Sequence, residues 1–396
     1  MSDLFGEQLA TLRAQSLHRR VREIETAQNA QVDIAGRHLV NFSSNDYLGL
    51  ANDPRLRAAA IATINEFGVG AGASRLVCGT QSPHVRLERA LADWKQTESA
   101  LTFNSGYAAA VGTIPALVTS RDIVVLDKLC HASLVDGARL SGAKLRVFPH
   151  NHVKKAGEHL EWARREHPDA RILLVTESVF SMDGDLAPLH ELTELKQRFN
   201  ALLMVDEAHA VGVIGPHGRG LAAAAGLEQK IDVQMGTLSK ALGVSGGYVC
   251  GTRDLIDWLI NRARSFIFST AQPPALAGAA LAAVELLNSP EGEARRQLLA
   301  RKIELLAKQL PDSPIAAQPA RTGSAIFPWI VGDEQAALDL AQALNEEGFL
   351  VPAIRYPTVA KGKARLRITV TASHDDTQIR ALGAAMARRV ARKSPA

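Results

Sequence analysis

Apolar and polar positions divide the chain into two kinds of pattern. From residue 83 to residue 250, short and nearly continuous apolar runs alternate with longer amphipathic or turn-rich stretches. The runs "SALTF", "DIVVLD", "KLRVF", "RILLVT", "ALLMVD" and "DVQMGTL" read as strands. A strand with no polar alternation is covered on both faces, and connections of crossover length make neighbouring strands parallel. The pattern therefore predicts an α/β fold: a mainly parallel, doubly wound sheet with helices on both faces. Ahead of it, "MSDLFGEQLATLRAQSLHRRVREIE" reads as one charged amphipathic helix carrying His18, Arg19, Arg20 and Arg22. Residues 271–320 read as strongly helical. Beyond them "SAIFPWIVGD", "FLVPAIRYP" and "ARLRITVTAS" read as strands, with helices over "EQAALDLAQALNEEG" and the basic terminus, giving a smaller α+β domain. The expected division is an N-terminal arm over 1–45, a large domain over 46–280 and a small domain over 281–396.

Composition narrows the class. At 46% apolar and 22% charged, the 396 residues suit a soluble globular protein. The 45 basic and 41 acidic side chains are interspersed, so no basic stripe marks a nucleic-acid groove. No apolar run reaches bilayer length and the first residues lack an apolar signal core, so a cytoplasmic protein with no membrane partner is expected. Three cysteines, Cys78, Cys130 and Cys250, with no CxxC spacing, argue against a disulfide framework or a metal site.

Ligands of open α/β sheets bind beyond the carboxyl ends of the strands, so those ends carry the candidate chemistry. "ALLMV" ends in Asp206 with His209 three residues on. Lys240 follows Asp206 by 34 residues, one strand-crossover-strand unit, inside the glycine-rich "GTLSKALGVSGGY". Singly, the acid reads as a turn or cap residue and the lysine as a solvated cation. Together they meet the demand of pyridoxal phosphate for an amine that condenses with its aldehyde and an acid beside its ring nitrogen. "SALTFNSGYAAAVGT" offers Asn104, Ser105, Gly106 and Tyr107 opening a helix where a phosphate could sit. Thr237, Ser269 and Thr270 supply hydroxyls that serve either a phosphate or a helix cap. His131 lies past another strand end, as do Glu177 and Ser181. "VDEAH" imitates a magnesium-binding element of nucleotide hydrolases, but no GxxxxGK[ST] loop accompanies it. "GVGAGA" imitates a dinucleotide loop, but it follows a helical stretch where a strand is needed.

With "NFSSNDYLGL", "GVGAGASRLVCGT", "SGYAA", "HASLVDGARLS", "TESVFSMDGDLAPL", "VDEAHAVGVIGPHGRG", "GTLSKALGVSGGY" and "RLRITVTASH" in order, the chain resembles the α-oxoamine synthases over nearly its whole length. These are fold type I pyridoxal-phosphate enzymes that condense an amino acid with an acyl thioester and release carbon dioxide. The resemblance implies that Lys240 is the Schiff-base lysine, Asp206 the pyridinium partner, His209 the donor to the cofactor's phenolic oxygen and His131 the group stacked on its ring. It implies that Gly106, Tyr107 and Thr237 serve the phosphate, that Ser181 is a further cofactor contact, and that Thr270 reaches a phosphate across a homodimer. "AIRYPTVAKGKARLR" is similar to the branch that joins L-alanine to a pimeloyl thioester, with Arg355 and Thr358 as substrate contacts. Asn45, His131 and an N-terminal basic residue, Arg19 or its neighbour His18, complete the implied substrate set. "GGYVCG" lacks the arginine that many aminotransferases place there.

Overall fold

The structure is a computed structural model and describes residues 2–311 and 323–391. It forms two compact units: Met1–Gly49, Met182–Asp185 and Leu298–Ala396 in one, Leu50–Ser181 and Leu186–Gln297 in the other.

The chain opens with the helix Ser2–Ala14, shorter than the pattern predicts. Ser16 adopts a left-handed φ of 55°. Leu17 N–H then donates to Leu12 O and Ser16 N–H to Arg13 O, which closes the helix in a Schellman turn. His18, Arg19, Arg20 and Arg22 therefore lie in irregular chain, not on the helix where they were expected. An antiparallel pair follows, β1 (Gln31–Ile34) and β2 (Arg37–Asn41).

The larger unit is built on seven strands: β3 (Ser99–Phe103), β4 (Ile123–Asp127), β5 (Lys144–Phe148), β6 (Ile172–Glu177), β7 (Leu202–Asp206), β8 (Val233–Thr237) and β9 (Gly247–Gly251). Their order is β3-β9-β8-β7-β6-β4-β5. All six predicted strands are present. The pairs β5–β4, β4–β6, β6–β7 and β7–β8 are parallel, whereas β9 runs antiparallel to β8 and β3. Successive residues feed opposite faces: Val124 and Leu126 enter one core, Ile123 and Val125 the other. Burial of side chains of this size stabilises by roughly 1.5–3 kcal/mol each, which explains the absence of polar alternation.

The sequence pattern missed β9. Its first residue must pass against the turn after β3, where a Cβ on Gly247 would meet Ser105 O at 2.5 Å and Gly106 N at 2.6 Å. The glycines that permit this approach also erase the strand signal.

Helices Pro274–Leu287 and Pro290–Gln309 occupy the predicted helical region, whose last part, 312–320, lies outside the described residues. In the smaller unit come β10 (Ile326–Gly332), β11 (Phe349–Leu350), β12 (Ala353–Ile354) and β13 (Ala364–Thr369). The expected single strand "FLVPAIRYP" is two short ones. β11 joins β2 in parallel, and β12 joins β13 in the sheet β10-β13-β12.

Candidate active site

Parallel pairing carries the chemistry to one edge of the larger unit. Glu177 and Asp206 are register partners at the carboxyl ends of β6 and β7, and Asp206 is the partner of Met235 on β8. β8 ends two residues later, so the turn after it delivers Lys240 to the same edge. The turn is tight: Gly243 N–H donates to Lys240 O at 2.8 Å. A Cβ on Gly243, at φ 70°, would meet Leu50 C at 2.5 Å, so only glycine fits. His209 follows Asp206 on the next turn, and its Nε2 lies 2.8 Å from Lys240 Nζ.

The charges at this edge feel one another. Burial raises the Asp206 carboxyl above its ordinary range, and the Lys240 charge opposes that rise. One carboxylate oxygen of Asp206 accepts the Ala208 N–H at 2.9 Å. Burial likewise pushes Glu177 up to about 8, with the Asp206 charge adding to the effect and Lys240 pulling the other way. Two buried carboxyls on adjacent strands resist double ionisation, and the nearby ammonium lets one of them keep its charge.

His131 caps the helix Ala132–Leu140. Its Nδ1 accepts the Ser133 N–H at 3.2 Å and lies 2.8 Å from Ser133 Oγ. A neutral ring accepting at Nδ1 carries its proton on Nε2, which makes that nitrogen the free donor. Desolvation lowers the His131 pKa and so favours this neutral form; the charges of Asp206 and Lys240 act on it in opposite senses. Glu177 binds the surrounding loops: its two oxygens accept the His131 N–H at 2.5 Å and the Ser181 N–H at 3.1 Å. Ser133 and this clamp by Glu177 are absent from the sequence reading of the site. The local "HAS" and "TE" stretches give no signal of which loop they will meet.

The expected anion cradle is the start of the helix Gly106–Leu117. Ser105 Oγ caps it by accepting the Ala108 N–H at 3.0 Å, and the N–H groups of Gly106 and Tyr107 fall in the first turn, where helices have no internal acceptor. Thr237 lies beside it: a Cβ on Gly106 would stand 3.5 Å from Thr237 Oγ1. That hydroxyl donates to Gly246 O at 2.8 Å and lies 2.7 Å from Ser239 Oγ, so Ser239, missed in the sequence, is the more exposed hydroxyl of the pair. Tyr107 donates its phenol to Asp136 at 2.8 Å. Thr270 bridges Ser74, and its carbonyl accepts from Asn104 Nδ2 at 2.9 Å.

Glu207 has a structural use. Fully buried, it pairs with the equally buried Lys95 at 2.6 Å and accepts the Ala222 N–H at 2.9 Å. The second acid of "VDEAH" is thus spent inside the fold. Among the described residues no cluster of ligating side chains could hold a metal.

The expected substrate contacts gather within the smaller unit. Arg19 Nη2 donates to Thr358 Oγ1 at 3.1 Å across 339 positions of sequence. The guanidinium of Arg355 donates to the carbonyls of Ser16 and His18. Burial, and then the charge of Arg19, lower the Arg355 pKa. Asn45 Oδ1 accepts from Tyr47 Oη at 3.2 Å and from Arg367 Nη1 at 3.0 Å, a partner the sequence did not suggest.

A family comparison sets the class. Residues 37–385 match the model for aminotransferase class I and II. The fold is also that of a serine palmitoyltransferase from S. paucimobilis solved with a PLP-myriocin aldimine, at a TM-score of 0.91, 29% identity and 98% coverage of both chains. More narrowly, an 8-amino-7-oxononanoate synthase from Geobacter sulfurreducens is 48% identical over 98% of each chain. The solved 8-amino-7-oxononanoate synthase of Francisella tularensis aligns at a TM-score of 0.74 and 27% identity, over 90% of this chain and 98% of that one. The chain belongs to the 8-amino-7-oxononanoate synthase family within the aminotransferase class I and II fold.

Proposed function

We propose that the protein is a pyridoxal-phosphate-dependent 8-amino-7-oxononanoate synthase. It joins L-alanine to a pimeloyl thioester, carried by CoA or by an acyl carrier protein, with loss of carbon dioxide, in biotin biosynthesis. The observation that carries this reading is the meeting of Lys240, His209 and Asp206 at the carboxyl ends of β7 and β8.

The residues fit the cofactor. Lys240 supplies the amine for its aldehyde, Asp206 a buried carboxylate for its ring nitrogen and His209 a donor beside its phenolic oxygen. His131 and Ser181 line the same edge, and Gly106, Tyr107, Thr237 and, from a partner subunit, Thr270 serve the phosphate. When bound, pyridoxal phosphate supplies an electron sink for the bond broken at the alanine Cα.

The chain's own groups do the rest. Lys240, as a free amine, would take the Cα proton of alanine, and His209, 2.8 Å from its Nζ, holds the amine in place. Burial raises the Asp206 carboxyl above its ordinary range, and a protonated ring nitrogen facing it would supply the positive charge that holds it ionised. His131, held by Ser133 with its proton on Nε2, donates toward the thioester oxygen as negative charge grows there. Arg355 exchanges its main-chain carbonyl partners for the alanine carboxylate, while Asn45, Arg19 and Thr358 orient the substrates. The alanine Cα would bond to the acyl carbon as the C–S bond breaks, the carrier leaving as a thiolate that takes a proton from water; the β-keto acid so formed would lose carbon dioxide, and the proton held by Lys240 would return to Cα.

The same reading makes the protein a cytoplasmic homodimer acting on small molecules. Among the described residues no helix is long and apolar enough to cross a membrane. Thiol release with L-alanine and pimeloyl-CoA, compared with glycine and acetyl-CoA, tests the assignment. Release confined to the first pair is expected, and preference for the second would transfer the protein to the 2-amino-3-ketobutyrate ligases.

A further inference from the structure

A cavity of about 1020 Å³ opens at the other end of the same sheet. Asp122 and Arg171, which line it, immediately precede β4 and β6, so it lies at the amino ends of strands whose carboxyl ends carry the candidate site. Its volume is that of a small-molecule site. Its lining sets four arginines, Arg121, Arg171, Arg262 and Arg264, against three acids, Asp122, Glu166 and Asp169, beside the aromatic rings of Trp258 and Phe268. Arg262 stands over the Trp258 ring at 5.2 Å and Arg264 over the Phe268 ring at 4.7 Å. The Trp258 indole N–H donates to Ala116 O at 2.8 Å, which fixes that ring. Among the described residues none of Arg121, Arg262 and Arg264 has a carboxylate partner. Asp122 is turned to its own loop and not to these guanidiniums, its oxygens accepting the N–H groups of Thr119 at 2.8 Å and Arg171 at 2.9 Å and the Thr119 hydroxyl at 2.9 Å. Glu166 is engaged by Arg165 at 2.8 Å.

We propose that this cavity is a second binding site, for a nucleotide-type anion whose phosphates meet Arg121, Arg262 and Arg264 and whose planar base packs on Trp258 and Phe268. Guanidinium groups with unused N–H edges bind phosphate in pairs, and an exposed aromatic face adds stacking. The site stands apart from the proposed reaction and does not depend on it.

The test is calorimetric titration of the cofactor-loaded full chain at low salt with ADP, inorganic pyrophosphate and adenosine, alongside Trp258 fluorescence. ADP is expected to bind at least about tenfold tighter than pyrophosphate, a difference of about 1.4 kcal/mol, while adenosine fails to bind. R262Q/R264Q should lose ADP binding by the same margin or more, with turnover and melting temperature unchanged, and Trp258→Phe should remove the fluorescence response. The proposal is overturned if ADP binds no tighter than pyrophosphate or if ADP binding survives R262Q/R264Q.

Discussion

Lys240 Nζ lies 2.8 Å from His209 Nε2, although the two residues sit on turns after different strands. The contact exists because β7 and β8 are parallel neighbours that end together, so turns leaving both arrive at one edge. An amine held this way has a defined position and a partner with which to share a proton. Lys240→Ala should abolish the visible absorbance of covalently held cofactor and reduce turnover on the order of a thousandfold, within the usual range for removal of a general base. Absorption spectra and thiol-release rates check both. A variant keeping the band and the rate would remove Lys240 from the chemistry.

Asp206→Asn separates binding from catalysis. The amide can occupy the buried position and keep the bond from Ala208 N–H, but it cannot carry the charge that a protonated ring nitrogen requires. Cofactor should remain bound while exchange of the alanine Cα hydrogen slows about a hundredfold or more, comparable to loss of one preorganised electrostatic partner. Proton exchange followed by NMR decides the matter, and an unchanged rate would contradict the role.

How much of this was legible in sequence depended on whether the signal was local. β4 and β6 could be read directly because both faces are buried and each strand is apolar until the polar residues at its carboxyl end. The spacing of Asp206 and Lys240 implied adjacent strand ends because a crossover unit has a narrow length range. β9 was illegible, since its glycines answer to a backbone passing from β3. The first helix was overrun because a left-handed serine, Ser16, ends it without the usual glycine. Glu177, though visible as a polar residue at a strand end, gave no sign that it would hold the loops of His131 and Ser181, because those partners are fixed by register between strands.

Arg355 donates to the carbonyls of Ser16 and His18, and a carboxylate is a better partner than either. Arg355→Ala should raise the KM for alanine by roughly ten- to a hundredfold, the loss of a charged hydrogen-bonding pair, and leave the KM for the thioester nearly unchanged. Steady-state kinetics with each substrate varied in turn checks it. An equal rise for both would exclude a dedicated carboxylate clamp.

Glu177 should leave a signature in the pH dependence of stability of the cofactor-free protein. Its carboxyl ionises near 4.5 in an ordinary setting and is pushed up to about 8 by burial and by Asp206. Between those values the native state holds a proton that the unfolded state has released. Stability must therefore fall as pH rises through this window, by at most about 1.4 kcal/mol per pH unit. Glu177→Gln removes that slope. It also leaves the N–H of His131 or of Ser181 without an acceptor, a cost of about 1–3 kcal/mol. The variant should thus be less stable than wild type near pH 5, with the gap narrowing toward pH 8. Denaturant unfolding across that range checks the prediction, and parallel curves for the two proteins would refute it.

Lys95 and Glu207 are both fully buried and pair at 2.6 Å, and Lys95 Nζ also donates to Arg219 O. Gly220 adopts φ 111°, and a Cβ there would lie 2.5 Å from the Glu207 carboxylate oxygens, so only glycine fits beside the pair. The pair thus anchors the segment that follows Asp206 and His209. Lys95→Met leaves a buried carboxylate alone and should destabilise by about 3–5 kcal/mol. Adding Glu207→Gln removes that stranded charge and keeps an acceptor for Ala222 N–H, so the double variant should recover part of the loss. If both variants unfold at the wild-type denaturant midpoint, the pair contributes nothing to holding the segment behind the proposed active site. If Lys95→Met alone unfolds early and the second change restores it, the cost lies in the unpaired charge and not in lost packing around the lysine stem.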